Sequence, residues 1–164
     1  MVTTANCSQA CAPLEAIEFG VKQYLALGVP AAKLFLGVPW YGLKYETIAH
    51  IPFFTGQIDY VDIVAAIANA GDEGTVTLDE RSSTKIFDCG GLCSQWTDKI
   101  DKKTDRASQI WFDDAETLAP KYALATKYDL GGVGMWEATK VAYNQNTSLP
   151  DAAAMWDSLC QRTG

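Results

Sequence analysis

The chain is poor in what a nucleic-acid or membrane protein requires. Its 13 Lys and Arg are outnumbered by 20 Asp and Glu, giving a net charge of −7. The longest basic cluster is Lys102-Lys103, so nucleic acid is excluded as an expected partner. No apolar run approaches the roughly 18 residues of a membrane helix, so no membrane association is expected. Met1 is not followed by a basic segment and an apolar stretch, so no signal peptide is visible. Histidine occurs once, at His50, and without more imidazoles no metal site and no cofactor is expected.

What is present suits a globular domain with a sizeable core. Of 164 residues, 48% are hydrophobic and 20% charged, which places the chain among soluble folded proteins rather than disordered ones. Five cysteines, Cys7, Cys11, Cys89, Cys93 and Cys160, leave at least one without an internal partner. Cys7, Cys11, Cys89 and Cys93 form two C-x-x-x-C pairs, unlike the usual two-residue zinc spacing. They are candidates for disulfides, with plain buried thiols as the alternative. Two N-x-S/T triplets, at Asn6 and Asn146, give weak support to a secretory route.

The apolar pattern alternates between helix and strand. Leu14, Ile17, Val21 and Leu25 at helical spacing predict a helix from Pro13 to Leu27, stopped by Gly28. The run from Lys33 to Pro39 predicts a strand buried on both faces of a parallel sheet. A middle segment of different texture follows. It has a short strand from Ile48 to Phe54, a helix from Tyr60 to Asn69 capped by Asp59, and strands at Thr75–Leu78, Thr84–Phe87 and Gln109–Phe112. The charged stretch from Asp98 to Arg106 reads as a solvated loop. Asp113 and Asp114 read as caps of a helix from Ala115 to Tyr128, with a kink expected at Pro120. Gly131 to Trp136 predicts a second buried strand, and Pro150 to Gln161 a last helix. Two parallel strands do not make a finished sheet, so the pattern looks like part of a larger one.

Four segments in order carry a resemblance to a known family. Lys33-Leu-Phe-Leu-Gly-Val-Pro-Trp-Tyr-Gly42 resembles the seventh barrel strand of the family 18 glycoside hydrolases, the chitinase family. Thr47-Ile-Ala-His-Ile-Pro-Phe53 resembles the start of an insertion in the di-N-acetylchitobiase branch, and Ser108-Gln-Ile-Trp-Phe-Asp-Asp114, with Lys121 in the helix after it, the exit from that insertion. Gly131-Gly-Val-Gly-Met-Trp136 resembles the eighth strand with its substrate-stacking tryptophan. The resemblance implies an α/β fold, the C-terminal part of a (β/α)8 TIM barrel holding its last two strands, with a small α+β insertion domain between them. Residues 1–42 and 113–164 would be barrel segments and 43–112 the insertion.

The same resemblance points to something missing. The family's acidic signature, D-x-x-D-x-D-x-E, has no counterpart here: Asp59-Tyr-Val-Asp62 starts with the right spacing but continues into apolar residues. No catalytic residue is therefore assigned to this chain. The substrate-binding candidates are Trp136, whose ring would floor the sugar subsite, and Tyr41, whose hydroxyl would reach the sugar or its acetamido group. Trp40 is a further candidate that could equally pack beneath the insertion. Glu137 lies beside Trp136 but, as a lone acid, is expected to face solvent or to support its neighbours. The implied partners are N-acetylglucosamine oligosaccharides, together with an upstream barrel half. The implied parent cleaves chitin-type β-1,4 linkages by a substrate-assisted retaining route, in a lysosomal or secreted setting, and this chain alone would be inactive. The alternatives are a non-catalytic chitinase-like lectin and a truncated gene product.

Overall fold

A computed structural model describes residues 9–48, 51–90, 108–141 and 150–160. The predicted first helix is α1 (Leu14–Ala26), which starts after Pro13 and buries Val21, with Leu14, Ile17 and Leu25 packed behind it. It ends where Gly28 takes φ +83°, a left-handed conformation that costs glycine little. Strand β1 (Phe35–Pro39) follows, and much later in the chain β7 (Gly132–Trp136) pairs with it in parallel, from Phe35 opposite Gly132 to Pro39 opposite Trp136.

Between them lies a second, five-stranded sheet. Its strands are β2 (Tyr41–Ile48), β3 (Ile51–Asp59), β4 (Thr75–Asp79), β5 (Thr84–Gly90) and β6 (Ser108–Phe112), in the antiparallel order β3-β2-β6-β5-β4. Helix α2 (Tyr60–Ala70) covers one face of this sheet, with Ile63 fully buried among Phe87, Ile110 and Phe112. The approach is close enough that a Cβ on Gly42 would lie 2.6 Å from Ile63 Cδ1. Helix α3 (Ala115–Lys127) runs unbroken through Pro120, and α4 (Pro150–Cys160) packs beside it, burying Met155.

Several expectations are corrected. Of the strand predicted from Ile48 to Phe54, Ile48 ends β2 and Ile51 to Phe54 begin β3, its antiparallel partner, while residues 49–50 lie outside the described residues. Strand β1 is buried on one face rather than two, and β7 is only partly buried. Leu36 and Val38 face the core, with Val133 and Met135 opposite them, whereas Phe35 is 71% exposed and Gly37 is exposed. Among the described residues the helices cover one side of this pair, so the other side stays open. Asp59 occupies the cap position of α2 without a side-chain capping bond, and Asp113 bonds into the core instead of capping α3. Most of the loop between Asp88 and Arg106 lies outside the described residues, as do His50, Asn6 and Asn146.

The helices are joined by a carboxylate that also reports on pH. Glu18 of α1 accepts from Lys127 Nζ at 2.7 Å and Tyr128 Oη at 2.5 Å, with Lys22 Nζ at 3.3 Å. The Lys127 bond first, and the Tyr128 bond next, hold its carboxyl down from 4.5 to about 2. A carboxyl depressed on folding stabilises the fold above its unfolded value and loses that contribution as pH falls toward the folded one. Thermal melts between pH 4.5 and about 2 should therefore show a loss of stability that Glu18→Gln lacks. Identical acid profiles for the two proteins would remove Glu18 from the interhelical contact.

Candidate functional site

The parallel strands β1 and β7 end side by side at Pro39 and Trp136, and the Trp40 backbone N–H extends their ladder by donating to the Trp136 carbonyl at 2.8 Å. On β7 the residues Gly132, Gly134 and Trp136 alternate onto the open face. The Phe35 ring lies across Gly132, and Gly134 leaves the face open behind the indole, which is 69% exposed. The peptide between Trp136 and Glu137 is cis.

Tyr41 opens β2 directly after β1 and is half-buried. The Cys11 thiol donates to its hydroxyl at 3.4 Å, and two turns of strand further Tyr45 donates to the Gln9 carbonyl at 3.1 Å. The Cys11 contact, aided by burial, pushes the Tyr41 hydroxyl up to about 12. It stays protonated across the physiological range and can donate to an acceptor oxygen.

Trp40 is in the core. It has no exposed surface, its Nε1 donates to Tyr122 Oη at 3.0 Å, and its ring meets Trp156 edge-on at 5.0 Å. An indole with no exposed surface offers no sugar platform here; it packs against α3 and α4 rather than beneath the segment 43–112. Glu137 turns back on its own loop. Its carboxylate accepts from Thr139 Oγ1 at 2.9 Å and lies 3.8 Å from Lys140 Nζ.

Lys140 was not singled out in the sequence, yet it connects the two halves of the site. Its Nζ also pairs with Asp59 Oδ1 at 2.9 Å, and Asp59 sits opposite Tyr41 in the β2–β3 register. The Asp59 bond raises the Lys140 ammonium above its ordinary range. The pair links the loop after β7 to the end of β3. No local pattern signals this pair, because Asp59 looks like an ordinary helix cap.

A buried ion pair lies under the same sheet. Lys121 is fully buried and donates to Asp113 Oδ1 at 2.5 Å and to Thr84 Oγ1 at 3.2 Å, while Thr117 Oγ1 donates to Asp113 at 3.1 Å. Burial pushes the Asp113 carboxyl up and the Lys121 ammonium down. Asp114, as expected, caps α3: its carboxylate accepts from Thr117 N–H at 3.0 Å, and its own backbone N–H donates to Thr117 Oγ1 at 2.9 Å. Of the disulfide candidates, Cys11 carries a free thiol, Cys89 lies in β5, and Cys7 and Cys93 lie outside the described residues.

An exposed indole beside a protonated phenol is an arrangement suited to a sugar, whose apolar ring face stacks while its polar groups bond. Comparison with known proteins agrees in kind. The family model of the glycosyl hydrolases family 18 matches residues 4–140. Di-N-acetylchitobiase of Rattus norvegicus is 27% identical over 93% of this chain and 43% of its own length. The chain therefore spans less than half of that relative. Among solved structures, a chitinase from Chromobacterium violaceum superposes with a TM-score of 0.69 at 24% identity, covering 96% of this chain and 42% of the other. A chitinase from Cycas revoluta, solved with (GlcNAc)3, gives 0.62 at 20% identity over 92% of this chain and 42% of its own. The mixed helices and strands described above are thus a chitinase-like fold of the TIM-barrel type.

Proposed function

The chain belongs to the glycosyl hydrolases family 18, and we propose that it is the C-terminal portion of a chitinase-like hydrolase of β-1,4-linked N-acetylglucosamine oligosaccharides. In this reading β1 and β7 are the last two strands of a (β/α)8 barrel, and the five-stranded sheet with α2 is an insertion that walls the cleft. Chemistry in such barrels sits at the C-terminal ends of the strands, which is where Trp136 and Tyr41 are. The observation that carries the reading is the 69% exposed Trp136 ring at that end of β7. Its indole floors the subsite, and the Tyr41 hydroxyl donates to the sugar or its acetamido group. Glu137, held by Thr139 and Lys140, supports the loop rather than moving a proton.

The proton donor and the acid that orients the acetamido nucleophile come from upstream barrel units, since no D-x-x-D-x-D-x-E is present in this sequence. Those units pack against the unpaired edge of β1. There a groove of 430 Å³ runs between α1 and β1, lined by Ile17, Gly20, Tyr24, Phe35 and Leu130 among others. Phe19, Tyr24 and Leu27 of the same region are 64%, 57% and 79% exposed, as expected of a surface that another layer covers. The whole protein works in a lysosomal or secreted setting.

A titration of the chain with chitotriose, followed by tryptophan fluorescence, tests this. Binding should weaken about tenfold or more on Trp136→Ala, the scale of a lost aromatic anchor, and the chain alone should release no N-acetylglucosamine. Turnover by this chain would overturn the assignment of the acids to upstream units. A completed barrel that carries the acids and binds sugar without cleaving it would make the parent a lectin.

A further inference from the structure

The five-stranded sheet has two faces, and they differ in kind. One face carries Gly42, Ile110, Phe112 and Phe87 and is covered by α2. Alternation along β2 puts Tyr41, Leu43 and Tyr45 on the other face. Strand β3, at the outer edge of the sheet, would present Phe54 to the α2 side if its register were regular. It is not regular. Lys44 pairs with Gly56 but Tyr45 pairs with Phe54, so Thr55 is an extra residue in β3. The Thr55 hydroxyl anchors this bulge by donating to the Lys44 carbonyl at 3.2 Å.

The consequence is that Phe54 turns to the Tyr41 face. Bulges re-aim side chains in this way and occur often beside functional sites. Phe54 then meets Tyr45 edge-on, with ring centroids 5.8 Å apart. Tyr45 is itself buried and tied to the Gln9 carbonyl, so the phenyl ring is buttressed from behind. Yet it remains 57% exposed on an edge strand, where an uncovered apolar side chain is a liability. Four residues of strand separate Tyr41 from the Tyr45–Phe54 row, a rise of about 14 Å. That is farther than a disaccharide bound at Tyr41 can reach, and within reach of a longer chain of the same sugar.

We propose that Phe54 is a second sugar-stacking platform, which makes this protein prefer longer β-1,4-linked N-acetylglucosamine oligomers over the disaccharide. The inference rests on the Tyr41 and Trp136 subsite of the proposed function. The bulge at Thr55 is the device that directs the platform onto the Tyr41 face of the sheet.

The test compares chitobiose and chitohexaose binding to the full chain, to Phe54→Ala, to Phe54→Trp, and to a chain from which Thr55 is deleted. Folding is checked by circular dichroism. Phe54→Ala should weaken chitohexaose binding by about five- to tenfold, the size of one aromatic contact, and leave chitobiose unchanged. Phe54→Trp should keep the preference for the longer sugar. Deleting Thr55 should abolish that preference by turning Phe54 toward α2. Equal hexamer-to-dimer ratios in the full chain and Phe54→Ala would overturn the platform while leaving the Trp136 subsite standing. Trp136→Ala serves as the separate control: if it changes neither sugar, the subsite at Trp136 fails. Absence of binding to either sugar by the full chain would overturn both.

Discussion

Lys121→Met is expected to lower the stability of the chain by about 3–5 kcal/mol, the usual cost of removing one partner from a buried ion pair. Lys121 has no exposed surface and Asp113 is 4% exposed. Without the ammonium the carboxylate has lost its counter-charge and cannot regain water. It must then take a proton or open the structure, and burial already pushes it in the first direction. The pair also holds the five-stranded sheet to α3, because the same Nζ donates to Thr84 at the start of β5. Combining Lys121→Met with Asp113→Leu should recover most of the loss, since well-packed apolar replacements of buried pairs are often neutral or better. Urea denaturation of the two single variants and the double variant closes the cycle. Additive losses would mean that the two side chains do not act as a unit.

What could be read in the sequence depended on whether the deciding contacts were local. Helices α1, α2 and α3 were legible because apolar spacing and terminal residues act within a few positions. Gly28 adopts positive φ where a stop was expected, Gly71 does so after α2, and Asp114 forms its capping box. Strand β2 was missed for a physical reason. Lys44 and Glu46 are charged residues on the buried side of the strand, 6% and 5% exposed, with Lys44 Nζ 3.8 Å from Glu46 Oε1. They cancel the apolar alternation by which a half-buried strand is recognised. Strands β1 and β7 carried the composition of doubly buried strands, yet one of their faces is open. Their residues suit surroundings larger than those the described residues supply. The Lys140–Asp59 contact and the turn of Phe54 were invisible, since one joins distant segments and the other depends on a single bulged residue.

Trp40 and Trp136 were both candidates, and the fold gives them opposite environments that substitution should separate. Trp40→Ala empties a site with no exposed surface and removes both the bond to Tyr122 and the edge contact with Trp156. A loss of about 3–5 kcal/mol is expected for a buried indole of this kind. Trp40→Phe keeps most of the volume and forgoes the N–H bond, at a net cost of about 0.5–1.5 kcal/mol for the bond itself, and should leave chitotriose affinity unchanged in the folded protein. Trp136→Ala removes a ring that is already 69% exposed, so its effect on stability should stay within about 0.5 kcal/mol while sugar binding falls. The contrast follows from position alone. Both residues sit at the ends of paired parallel strands, but Trp40 is directed under α3 and α4, and Trp136 out over the face that Gly134 leaves open. Denaturation curves set beside chitotriose titrations for the three variants decide it. If Trp40→Phe kept its stability but lost the sugar, Trp40 would belong in the cleft after all.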